Sequence, residues 1–127
     1  MIQPWSKIVD LYERSAGDRR SMHAIAGLAR LISETQLARG LFAWTSMHDL
    51  CVVQTEVNYP YDGPKLVVSP IAADQIEFRY VDTLDKARQW HRTVDADQAV
   101  ARLLNFLDQQ RRFPADVLES LDRKQAE

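Results

Sequence analysis

The residues of this chain whose types could do chemistry are few and loosely spaced. His48 and Cys51 lie three positions apart. An imidazole that reaches a thiol can generate a thiolate nucleophile, so this pair is the first candidate for covalent catalysis. It falls, however, at an expected hairpin turn and the strand after it, and strand residues three apart point to opposite faces. The favoured reading is a small buried hydrophobe beside a turn residue. His91 is the third weak catalytic candidate. His23, His48 and His91 have no i, i+4 pair of the kind helical zinc motifs use, and Cys51 is the only cysteine. No metal and no cofactor is expected.

Glu34, Asp49, Glu56, Asp62 and Glu77 are available as paired carboxylates, but any chain with 18 acidic residues offers such candidates. The four glycines are isolated, which disfavours a phosphate-cradling loop, and there is no Gly-x-Ser-x-Gly elbow. A small enzyme using Cys51, His48 or His91 with a carboxylate is therefore the alternative reading.

Candidates for binding are better formed. Tyr59-Pro60-Tyr61-Asp62-Gly63-Pro64 sets two tyrosines in a proline-stiffened loop. Such rings offer large contact area at low entropic cost, as a hot spot requires. In the competing and favoured arrangement both rings fold back over the end of a sheet. Arg79 is expected on an outward sheet face. Trp90 either joins it there, as a cation–π patch for an acidic or peptide partner, or turns into the core, where large aromatics dominate. Tyr59, Tyr61, Arg79 and Trp90 are the expected binding residues.

The elements that must position these residues follow from periodicity. Gln75 to Val81 alternates, with Ile76, Phe78 and Tyr80 on one side and Gln75, Glu77 and Arg79 on the other. That period marks a strand with one buried face. A turn at Asp82–Asp85 leads to a second strand over Arg88–Val94, in a register uncertain by one residue. Asp95 and Gln98 resemble a capping box for a helix that ends near Phe113, ahead of Pro114. Its apolar stripe is Val100, Leu103, Leu104, Phe106 and Leu107, with Arg102, Asn105, Asp108 and Gln109 opposite.

Earlier in the chain, Trp5, Ile8, Val9 and Tyr12 recur at helical spacing after Pro4 and before Gly17. Met22, Ile25, Leu28, Ala29 and Ile32 make a second helical face. Ser33–Gln36 either caps a further short turn ending at Gly40 or continues that helix. Leu41–Thr45 and Leu50–Val57 read as strands joined by Ser46–Asp49, and Leu66–Val68 as the next strand. Val117, Leu118 and Leu121 suggest a short final helix. Helices, then about five strands, then helices argue a single α+β domain over residues 1–127, with the helices on one face of an antiparallel sheet.

Composition bounds the function. With 46% hydrophobic and 27% charged residues, this is an ordinary globular chain. A net charge of −2 argues against a broad nucleic-acid surface. No apolar run reaches the roughly 20 residues a membrane helix needs, and no signal peptide is apparent at Met1–Trp5. One cysteine permits no internal disulfide, so a bacterial-type reducing cytoplasm is the expected setting. The leading expectation is a non-catalytic module that binds another protein, chaperone-like or toxin-neutralising by analogy of size alone. A homodimer burying a sheet edge or the helix around Trp5 is the third.

Overall fold

The computed structural model describes residues 2–57, 61, 63–111 and 113–126. Two helices open the chain, α1 (Trp5–Ser15) and α2 (Arg20–Ser33). Five strands follow: β1 (Phe42–Ser46), β2 (Asp49–Val53), β3 (Lys65–Pro70), β4 (Gln75–Val81) and β5 (Trp90–Asp95). Two helices close it, α3 (Ala99–Gln110) and α4 (Ala115–Ala126). The strands form one antiparallel meander in chain order, β1-β2-β3-β4-β5. The α+β class expected from the sequence is the class observed.

Alternation explains why the helices sit on one side. Leu50, Val52, Leu66, Val68, Ile76, Phe78 and Tyr80 point to that side and are buried with the helical stripes Ile8/Tyr12, Met22/Ile25/Leu28/Ala29/Ile32 and Leu103/Phe106/Leu107. Transfer of these side chains from water is the main driving force for the fold. Leu50–Val53 is buried at every position because the opposite face also has cover. Cys51, Val53 and Val67 lie there, buried but outside the main core.

Local chemistry sets the joints. Thr35 accepts a hydrogen bond from Leu37 N at 3.3 Å and starts a separate 3-10 turn, Gln36–Arg39, so α2 does not continue. At Gly40 an added Cβ would lie 3.0 Å from Phe113 Cζ, so the ring of Phe113 covers a bare backbone. The β1–β2 turn has Met47 and His48 at φ 51° and 75°. A two-residue turn of this hand suits strand twist, but it normally takes Asn or Gly. β2 ends at Val53, earlier than expected, because β3 pairs only with Leu50–Val52.

Two further expectations are corrected. Lys86–Arg88 forms a 3-10 turn after Asp85, whose side chain accepts from Ala87 N at 3.2 Å, so β5 begins at Trp90 rather than Arg88. Asp95 makes no side-chain cap; a 3-10 turn, Ala96–Gln98, leads into α3, and Ala96 N donates to Asp74 O at 2.8 Å. A backbone bond thus does the work assigned to a capping box.

Candidate protein-binding edge of the sheet

The weak catalytic candidates are not brought together. His48 is an exposed turn residue whose carbonyl accepts a 2.7 Å hydrogen bond from the Tyr12 hydroxyl. Cys51 lies buried on the helix-free face, where burial pushes its thiol up from the ordinary range and keeps it protonated. Trp44, Cys51, Val67, Arg79 and His91 form one cross-strand row. Three strand spacings separate Cys51 from His91, roughly 14 Å. Among the described residues no cluster of three His, Cys, Asp or Glu side chains has metal-binding geometry. Asp49 and Glu77 both approach Arg79, at 3.6 and 3.1 Å. Glu34 and Glu56 are exposed, and Asp62 lies outside the described residues.

Of the expected binding residues, Tyr59 lies outside the described residues. Tyr61 is folded back: its ring meets Trp44 edge-on at 6.1 Å, and its hydroxyl donates to Pro64 O at 2.7 Å. It crosses Gly63 so closely that a Cβ there would fall 2.5 Å from the phenolic oxygen, so a larger residue would displace the ring. Lys65 Nζ sits 5.9 Å from the Trp44 ring centre on the same face. Where this face meets the end of α3, Tyr61, Lys65, Tyr80 and Arg88 line a cleft of about 290 Å³.

Arg79 and Trp90 do not meet, which corrects the cation–π patch. Arg79 pairs in register with His91 on the helix-free face, whereas Trp90 pairs with Tyr80 on the helix face. There Trp90 stacks on Tyr80 at 6.3 Å and packs against Phe106 at 6.1 Å, half-buried between β5 and α3. Arg79 is engaged by its two carboxylates.

The two edges of the sheet differ. At β1, Gln3 N donates to Ala43 O at 2.9 Å, and the Gln3 side-chain oxygen accepts from Thr45 N at 2.9 Å and Thr45 Oγ1 at 3.0 Å. Gln3 thereby engages the Ala43 C=O and the Thr45 N–H on the outward side of β1. At β5, the bond from Ala96 N to Asp74 O fixes which residues face β4. In an antiparallel ladder the hydrogen-bonded pairs recur at every second residue, so Val94, Arg92 and Trp90 bond to β4. His91 and Thr93 therefore turn their N–H and C=O outward, with no backbone partner among the described residues. Their side chains, and that of Arg92, are exposed.

Beside this open edge runs α3. Trp90, His91, Arg92, Arg102 and Gln109 line a groove of about 230 Å³ between strand and helix. Neither Arg92 nor Arg102 is ion-paired among the described residues. The register explains why. On the face of Arg92 the neighbours are Phe78 across the ladder and Trp90 and Val94 along the strand, none of them acidic. The helical neighbours of Arg102 at three and four positions are Ala99, Gln98, Asn105 and Phe106, again without an acid. The sequence reading missed this convergence. Arg92 and Arg102 were visible as polar positions of two elements, but their meeting depends on which flank of α3 lies over β5.

No family model, no curated protein and no solved structure matches this chain. Among the described residues no helix is long and apolar enough to cross a membrane.

Proposed function

We propose that this chain is a non-catalytic interaction module that holds another protein, and that it does so through β5. One observation carries the reading: of the two sheet edges, β1 is engaged by Gln3, whereas β5 presents outward backbone groups with no backbone partner among the described residues, on a strand whose central side chains, His91 to Thr93, are exposed. An edge strand of that kind is a template for an incoming strand. Natural domains commonly blunt such edges with proline, bulges or a covering segment, and β5 has no proline and pairs with β4 without interruption. Main-chain hydrogen bonds would supply affinity, and the flanking groove would choose the partner's side chains.

Thr93→Pro tests this. The Thr93 N–H faces outward, so proline there removes a donor without breaking the β4–β5 ladder. Peptides selected from a displayed random library on the wild-type protein should lose binding to Thr93→Pro while circular dichroism and melting stay near wild type. Selected peptides that bind Thr93→Pro unchanged would place the docking surface elsewhere and overturn the reading.

A further inference from the structure

The occupant of β5 can be narrowed by its charge. Building on the edge reading above, we infer that the groove between β5 and α3 receives an extended segment bearing carboxylates, seated by Arg92 and Arg102 as the segment adds to the sheet. Three observations converge. The outward N–H and C=O groups of His91 and Thr93 fix the incoming chain as extended, because only an extended backbone matches their spacing. The groove is lined by two arginines that have no ion pair among the described residues, on a protein whose net charge is −2. In a chain whose acidic and basic residues nearly balance, two cations left without ion pairs among the described residues at one site are a local excess of positive charge. His91 lies on the opposite face, across from Arg79.

The geometry also says which side chains would be read. Alternate residues of an added strand point to alternate faces. Those on the helix side meet Arg92, with Arg102 and Gln109 reaching across from α3. A carboxylate there accepts hydrogen bonds from a planar guanidinium, and the half-buried Trp90 lines the same groove. At about 230 Å³ the groove admits individual side chains rather than a drug-sized ligand. Residues on the other side of the added strand would lie beside His91 and Thr93, a polar and open surface. A second copy of this chain is the rival occupant. It would bring another Arg92 and Arg102 to the same junction rather than the missing anions.

The probe is a short fluorescein-labelled peptide alternating valine with glutamate, compared by anisotropy with the same peptide carrying glutamine for glutamate. Wild-type protein should bind the glutamate peptide at least about tenfold more tightly, the ratio shrinking as salt is raised. Arg92→Gln with Arg102→Gln should remove that preference while leaving the melting temperature near that of wild type. Backbone N-methylation of alternate peptide residues should abolish binding of either peptide. Equal binding of the two peptides, abolished by N-methylation and by Thr93→Pro, would overturn the acidic inference and leave the edge reading standing. Binding insensitive to N-methylation and to Thr93→Pro would overturn both. Wild-type protein that sediments as a dimer, and becomes monomeric as Thr93→Pro, would assign the edge to a second copy and overturn the inference.

Discussion

The two edges of this sheet are built from the same ladder and finished in opposite ways. At β1 the chain returns to its own strand: Gln3 spends both its backbone N–H and its side-chain oxygen on Ala43 and Thr45. At β5 nothing in the described chain returns, and the polar groups left over are cations and outward amides. One edge puts its hydrogen bonds into stability and the other holds them in reserve. Polar substitutions at β1 should therefore change folding, and polar substitutions at β5 should change binding.

The largest effect on stability at the open edge should come from its apolar anchor. Trp90→Ala removes the contacts with Tyr80 and Phe106. A fully buried tryptophan would cost more, and this half-buried one should cost about 2–3 kcal/mol in urea unfolding. A loss below about 0.5 kcal/mol, the range of ordinary surface substitutions, would mean that β5 is not fixed against α3. At the closed edge, Gln3→Ala removes two side-chain hydrogen bonds at a part-buried site. A loss of about 1–2 kcal/mol is expected, and faster amide exchange at Thr45 should accompany it.

Tyr12→Phe deletes the bond to His48 O and should cost about 1 kcal/mol. It also carries a pH signature. Burial, and then the Asp49 charge, push the Tyr12 phenol well above its ordinary value. The unfolded chain ionises near the ordinary phenol value of about 10, so the stabilisation is complete below that pH and is lost as pH rises from there toward the folded value. Wild type should lose stability more steeply than Tyr12→Phe above about pH 10. Parallel pH profiles would contradict the assignment. The smallest effect belongs to the open edge again: Arg92→Gln and Arg102→Gln should each leave stability within about 0.5 kcal/mol, because neither arginine is ion-paired among the described residues.

Much of this fold was legible because several local rules agreed. The alternation of Ile76, Phe78 and Tyr80 specified β4 and its buried face, and the stripes of α1, α2 and α3 specified which sides they bury. Register was harder. Trp90 and His91 are neighbours, and a one-residue slip exchanges their faces. Only pairing with Tyr80 and Arg79 settles which ring turns inward. The capping box at Asp95 failed because its residue pattern is also compatible with a 3-10 entry held by Asp74 O. The candidate site was least visible. Gln3 bonding to β1 is a contact across about forty residues, and Arg92 sharing a groove with Arg102 depends on the path of α3; neither leaves a mark on local sequence.

Amide hydrogen exchange on β1 and β5, measured with and without the glutamate peptide, bears most directly on the difference between the edges. In the free protein the His91 and Thr93 amides should exchange quickly and the Thr45 amide slowly. Bound peptide should slow His91 and Thr93 and leave Thr45 unchanged. Slow exchange at His91 and Thr93 in the free protein, or no change there in the peptide-bound protein, would contradict an open and receptive β5.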